Sequence, residues 1–194
     1  MPLARMALVL SVLAGCVISA GACSRPASPE FQPTATVKDI MDSVVDPNAD
    51  FIWDSVEIVV TLQGTEEKAP QTDEDWKALR RHAISLLEAS NLLLVPGRRI
   101  AKPGEKAEDE RVDLKPEEIE ARVKDDPAAW TTGAHGLHDA TLESLRAIEA
   151  RDVKALLNAG DVLDQSCETC HRRYWYRVAP ASGSETSERP KSGS

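Results

Sequence analysis

The sequence predicts an all-α fold in which four amphipathic helices bury a common apolar core. Apolar residues recur three and four positions apart in four separate stretches, the spacing that places them on one face of a helix. Aromatic residues make up only 4% of the 194 residues, and the Leu, Val, Ile and Ala that remain favour helices over a β-sandwich. Asp or Thr stands before several stretches, where it can cap a helix N-terminus.

The first predicted helix covers residues 36–62. Its apolar positions run from Val37 to Val60 at helical spacing. Asp46 and Pro47 interrupt the pattern. Proline at a first helical position behind an aspartate cap indicates a restarted helix rather than a strand, so we expect a kink or break at Pro47.

The second predicted helix covers residues 73–94 and begins at a capping box, with Thr72 at the cap and Asp75 three residues later. Its apolar side chains alternate three and four positions apart, which is typical of a helix packed in a bundle. The highly charged segment 98–125 follows. Residues 115–124 are expected to form a short surface helix; otherwise the segment is a long solvated connection.

The third and fourth predicted helices each begin behind an aspartate cap. Asp126, followed by a proline, starts the third, which runs to about residue 150, and Asp152 starts the fourth. The inward stripe of the fourth helix includes Cys167 and Cys170. The two cysteines are therefore expected on its core side.

Residues 167–171 read Cys-Glu-Thr-Cys-His, the attachment signature of a c-type haem. Each thiol adds to one haem vinyl group, and the two intervening residues let Cys167 and Cys170 reach one porphyrin edge. His171 then supplies the proximal ligand of the iron. A C-x-x-C pair alone also fits a disulfide or half of a zinc site. The adjoining histidine and the export signal favour one covalently attached haem c.

The N-terminus predicts export. Residues 1–22 form a signal peptide, with a positive Arg5 and an apolar run too short for a comfortable membrane span. Of two cysteines in lipoprotein-like contexts, Cys23 is favoured over Cys16, because the apolar run continues past Cys16. An ordinary signal-peptidase site at residues 20–22 is the alternative. We expect a periplasmic protein, either soluble or attached to the membrane through a lipid on Cys23.

Composition and charge limit the partners. The net charge of −9 argues against nucleic acid, and an acidic surface suits a basic docking partner or simple solubility. The sequence contains no Ser/His/Asp set, phosphate loop or H-E-x-x-H motif, so it does not indicate an enzyme. Residues 23–35 are predicted as a linker, 36–178 as the haem domain and 179–194 as a disordered tail.

Four amphipathic helices with the C-x-x-C-H motif near the end of the last one resemble the class II cytochromes c, which comprise the cytochrome c′ family and its six-coordinate relatives. The resemblance covers about residues 36–178, and Met41 near the start of the first helix adds to it. It implies an antiparallel four-helix bundle with covalently bound haem on the last helix. The charged segment 98–125 departs from a compact bundle and leaves that connection open.

The resemblance implies one of two iron sites. In six-coordinate members a methionine from the first helix binds the iron, and the protein carries electrons. In five-coordinate members the distal side is apolar and binds NO or CO. Met41 is the only methionine left after removal of the signal peptide, so it is the candidate distal ligand, although it can also simply pack in the core. His138, near the start of the third helix, is the less favoured alternative.

The leading expectation is an exported monohaem electron carrier that serves redox partner proteins and turns over no substrate. Binding of NO or CO by a five-coordinate iron is one alternative. The other is a haem-bearing docking subunit of a membrane redox complex, which the lipoprotein-like N-terminus motivates. Members of the resembled family are often dimers, so a homodimer is a further expectation by analogy.

Overall fold

A computed structural model of the chain describes residues 30–177. Within this range the protein is mostly helical, as the sequence predicts. Several sequence predictions lie outside the described residues: the signal peptide 1–22, Cys16, Cys23, most of the linker 23–35 and the tail 179–194.

Helices account for most elements of the described range, and none of those helices is both long and apolar enough to cross a bilayer. The elements in chain order are α1 (Val37–Ile40), a π-helical turn (Met41–Val45), α2 (Asp46–Trp53), β1 (Glu57–Thr61), β2 (Gly64–Lys68), α3 (Asp73–Leu92), α4 (Pro116–Asp125), α5 (Pro127–Ala150) and α6 (Val153–Tyr174).

The first helical region is shorter than predicted. It ends at Trp53, not at residue 62, and β1 and β2 form an antiparallel hairpin behind it. The prediction was wrong because Ile58 to Thr61 is a run of β-branched residues, which favours a strand. Val60, expected on the buried stripe of a helix, is 79% exposed on the hairpin.

Pro47 does not end the first helical region. The turn that precedes Pro47 is wider than an α-helical turn. Met41–Val45 is π-helical, and the N–H of Asp46 donates to the carbonyl of Met41, five residues earlier. Pro47 has no N–H, and in an α-helix its ring would collide with the carbonyl of Ser43. A wider turn removes this collision. The break predicted at Pro47 is therefore absent: α2 continues through Pro47, and the irregular segment is the π-helical turn before it.

The predicted starts of three later helices are confirmed. Thr72 and Asp75 form the predicted capping box at the start of α3. Asp126 and Asp152 each accept a hydrogen bond from the backbone N–H three residues later, both at 2.9 Å. Such caps satisfy N–H groups that have no partner inside the helix, and each typically contributes about 1 kcal/mol.

Neighbouring helices run antiparallel. The indole of Trp130, near the start of α5, donates to the carbonyl of Leu93 at the end of α3. Arg80, near the start of α3, pairs with Glu149 near the end of α5. α5 and α6 are joined by a tight turn at Arg151. α2 packs against both α3 and α6, and the core between these helices contains the fully buried side chains Ile52, Leu79, Leu86, Leu156 and Leu163.

The charged segment 98–125 contains α4, which confirms the short helix predicted over 115–124. The other reading, a long solvated connection, is wrong. Ile119 is 1% exposed, and Ile100 and Leu114 are also buried. These apolar residues stand singly among charged ones, so the sequence shows no stripe long enough to reveal them. The segment is attached to the helical core.

Candidate functional site

A cavity opens between the first helical region on one side and α5 and α6 on the other. Its volume is about 220 Å³, and it is open to the surface. Cys167, Cys170 and His171 line the cavity from α6, and Met41 lines it from the π-helical turn. The four residues singled out by the motif and the family resemblance are therefore together.

α6 presents its three motif residues on one face. Cys167, Cys170 and His171 stand at positions i, i+3 and i+4 of an uninterrupted α-helix, the spacing that brings side chains to one side. Both cysteines are partly buried free thiols. This face can thus offer two sulfurs and an imidazole to one bound group.

The two thiols are held in their neutral form. Burial, chiefly, raises the pKa of Cys167 to about 12, and the nearby Cys170 and Asp164 act in the same direction. Burial also raises the pKa of Cys170. Redox-active and zinc-binding cysteines function as thiolates, which need a lowered pKa. This environment therefore disfavours a thioredoxin-like pair and suits sulfurs that become part of a neutral thioether.

A glycine on α5 makes room for one of the sulfurs. A Cβ built on Gly133 would lie 3.3 Å from Sγ of Cys170, closer than an ordinary van der Waals contact. A side chain there would press on the sulfur or on a group bonded to it. The sequence analysis did not single out Gly133. The available signal was a glycine inside a helical pattern, which often marks a close approach.

Two tryptophans form fixed parts of the cavity wall. Trp53 donates its indole N–H to the carbonyl of Gly160 at 3.0 Å, and Trp130 donates to the carbonyl of Leu93 at 3.1 Å. Both rings line the cavity. Because each indole has its polar atom satisfied, its apolar face is free to cover a planar apolar ligand.

The α5 wall of the cavity is apolar, and Leu137 rather than His138 belongs to it. Leu137 is 7% exposed and lines the cavity. The His138 side chain is 38% exposed and contacts Asp139 at 3.4 Å. Adjacent helical positions differ by about 100°, so only one of the two can face inward. The structure therefore does not bring His138 together with the other candidate ligands.

The His171 ring has aromatic neighbours beyond the end of α6. Its centroid lies 6.2 Å from that of Trp175 and 5.9 Å from that of Tyr176. The Tyr176 hydroxyl donates to the Glu168 carboxylate at 3.2 Å. These side chains restrict the orientations open to the imidazole.

The segment between α3 and α4 ties both walls of the cavity in place, which the sequence did not reveal. The N–H of Val37, at the start of α1, donates to the carbonyl of Arg99 at 2.8 Å. The N–H of Leu114 donates to the carbonyl of Trp175, just after α6, also at 2.8 Å. One segment thus holds the helix ends that precede Met41 and follow His171.

The donor set and the cavity fit a haem attached through two thioethers. Two free thiols and an imidazole share one face of α6, and the Met41 side chain lies on the opposite wall. Most of the remaining lining is apolar. Within residues 30–177 no group of three or more His, Cys, Asp or Glu side chains is arranged to hold a bare metal ion. Haem iron takes only one or two axial ligands from a protein.

No protein-family model matches the chain, and comparisons with curated proteins and with solved structures gave no significant match. Support for a function therefore comes from the residues of this chain and their arrangement.

Proposed function

We propose that the protein is an exported monohaem c-type cytochrome that passes single electrons between redox partner proteins. The observation that carries the proposal is that Cys167, Cys170, His171 and Met41 line one largely apolar cavity. Two thiols, an imidazole and a methionine thioether are the groups that a six-coordinate haem c takes from its protein. They come from opposite ends of the domain and share a site only in the folded chain.

In this proposal the two cysteines hold the haem. Each S–H would add across one vinyl group of the haem, forming a carbon–sulfur bond while the thiol hydrogen passes to the other vinyl carbon, so that no oxidant is needed. Cys167 and Cys170 are three residues apart on α6, which lets both reach the same porphyrin edge. Gly133 leaves space beside the sulfur of Cys170.

His171 and Met41 would hold the haem iron. Bound haem would contribute a one-electron Fe(II)/Fe(III) couple. Methionine paired with histidine raises the reduction potential relative to two histidines. Val45, Ala49 and Leu137 line the same cavity, and an apolar, water-poor surrounding is a further influence on the potential.

The antiparallel four-helix bundle also forms part of the proposal. The first helical region, α3, α5 and α6 correspond to the four helices of an antiparallel bundle like that of the class II cytochromes c. The antiparallel contacts of α5 with α3 and α6 support this correspondence. The β1–β2 hairpin and α4 are then additions to the bundle.

The proposed location is the periplasm, with a lipid on Cys23 holding the protein at the membrane. Mass spectrometry of the mature N-terminus tests this directly. A lipidated Cys23 is expected, and an unmodified terminus would remove the lipid anchor from the proposal.

Size-exclusion chromatography with light scattering tests the proposed homodimer, which a monomeric mass would contradict.

The oxidised and reduced optical spectra of the exported protein test the iron site. We expect a low-spin ferric spectrum with the weak long-wavelength band that methionine ligation produces. Met41→Leu should abolish that band and leave the covalent haem in place, because leucine conserves most of the volume. A high-spin spectrum that Met41→Leu leaves unchanged would contradict ligation by Met41.

A second candidate function is the binding of NO or CO by a five-coordinate haem. The apolar lining around Met41 favours it, because a small gas could bind an iron that Met41 leaves unbound. Rapid CO binding by the reduced parent protein, equal to that of Met41→Leu, is then expected. An iron that binds CO slowly or not at all, until Met41 is replaced, would exclude this candidate.

A further inference from the structure

Two polar side chains connect the π-helical turn to α3. Asn48, just behind Pro47, donates its side-chain N–H to the carbonyl of Val44 at 2.5 Å. The Oδ1 of Asn48 contacts Nδ1 of His82 on α3 at 2.8 Å. The His82 ring also stacks on Phe51 of α2, with centroids 3.8 Å apart and planes inclined by 15°.

The chemistry of these groups fixes the direction of each hydrogen bond. A backbone carbonyl can only accept, so the nitrogen of the Asn48 amide must face Val44. Its oxygen therefore faces His82, and Nδ1 of His82 must carry the proton. Each partner thus satisfies the next, from α3 to the carbonyl at the end of the π-helical turn.

Pro47 explains why the turn needs such support. It lacks the N–H that would bond to Ser43 in an α-helix. A π-helical turn contains one more residue than an α-helical one, so it is less favourable without an added partner. The Asn48 side chain supplies a donor at this point, and His82 holds that side chain in place.

We infer that Asn48 and His82 are positioning residues that keep the Met41–Val45 turn π-helical and so hold Met41 at the cavity. The inference rests on the proposed role of Met41 as an iron ligand. If the turn tightened to an α-helix, residues before it would rotate by about 100° relative to α2. Met41 would then leave the wall that faces His171.

The rate of CO binding to the reduced holoprotein tests this inference, because CO enters only when Met41 is off the iron. His82→Leu removes one hydrogen bond, so the fraction with Met41 unbound, and with it the CO rate, should rise about two- to tenfold. His135→Leu is the matched control, since His135 is exposed on α5. It should leave the rate unchanged.

Two further variants separate positioning from simple loss of stability. Asn48→Asp keeps an oxygen toward His82 but loses the donor to Val44, so it should raise the CO rate as His82→Leu does. His82→Gln retains an N–H donor and should return the rate toward the parental value. Thermal unfolding of each variant, recorded in parallel, shows whether a change in rate is separate from a change in stability.

The outcomes for the inference and for the proposed function are distinct. If Met41→Leu abolishes methionine ligation but His82→Leu and Asn48→Asp bind CO at the rate of the His135→Leu control, the positioning role is wrong and the ligand role of Met41 stands. If Met41→Leu leaves the spectrum unchanged, ligation by Met41 is wrong, and the positioning role falls with it.

Discussion

The two walls of the cavity are built in different ways. α6 is a continuous helix of 22 residues, so the spacing of Cys167, Cys170 and His171 alone places them on one face. The opposite wall is divided into α1, a π-helical turn and α2, and Met41 is the first residue of the π-helical turn. A ligand on a regular helix is therefore predictable from spacing, whereas one on an irregular segment requires knowledge of the fold.

Removing the two thiols of the α6 wall has the largest expected effect. The double variant Cys167→Ser/Cys170→Ser should lose all covalent haem, because serine hydroxyls do not form thioethers. A haem-stained denaturing gel and the intact mass measure this loss. Thr169→Ala, which changes an exposed residue between the cysteines, should keep full attachment. Haem that remains bound to the double variant after denaturation would contradict the assigned attachment residues.

The burial of Cys167 on α6 predicts that its thiol reacts slowly before haem is attached. Burial raises the pKa of Cys167 from its ordinary 9.0 to about 12, so at pH 8 the thiolate fraction is about a thousandfold below that of a free cysteine. Alkylation of the folded haem-free protein at Cys167 should be slower by about this factor. Equal rates for the folded protein and for the same protein in denaturant would show that the thiol is not buried.

The raised pKa also gives the haem-free protein a pH dependence. The folded state holds the Cys167 proton more tightly than the unfolded state, so this group contributes stability that is fully present below pH 9.0 and is lost as the pH rises toward about 12. Denaturant unfolding at several alkaline pH values measures the trend. Stability that increases over this range would reverse the sign and contradict the assigned burial.

A side chain at Gly133 of α5 should press on Cys170 of α6. Gly133→Val crowds Cys170, whereas Gly136→Val crowds Ser166, whose Oγ lies 3.4 Å from an added Cβ. Overpacking should cost both variants about 1–3 kcal/mol of stability. Only Gly133→Val should also reduce the fraction of chains with attached haem, as measured by the ratio of haem absorbance to protein. Equal attachment in both variants would remove Gly133 from the site.

The smallest expected effect concerns the anchors of the tryptophans. Trp53→Phe removes the hydrogen bond to Gly160 that links α2 to α6, and Trp130→Phe removes the one to Leu93. Each should lower stability by about 0.5–1.5 kcal/mol in denaturant unfolding. Trp53→Phe should in addition speed CO binding to the reduced protein. The reverse order of CO rates would mean that Trp53 does not steady the wall that contains Met41.

Local signals accounted for what the sequence predicted well. The caps at Thr72, Asp126 and Asp152 need only neighbouring residues to form, and each is present as predicted. The C-x-x-C-H spacing likewise acts within one helix turn. Regular periodicity therefore located α3, α5 and α6 and the part of the candidate site that lies on α6.

Competition between signals explains what the sequence did not predict. Apolar spacing near Val60 fits a helix, but β-branching favours the hairpin observed there. Pro47 predicts an irregular helix, but not that the turn before it is π-helical or that Asn48 contacts a histidine on another helix. Ile119 is buried only because α4 folds back on the core. These features depend on contacts between distant residues, which periodicity does not contain.

The most direct test is the mass and visible spectrum of the purified exported protein after denaturation. We expect a coloured protein that keeps the mass of one haem, located by peptide mapping to residues 167–171. A colourless protein with unmodified Cys167 and Cys170 would contradict the proposed cytochrome.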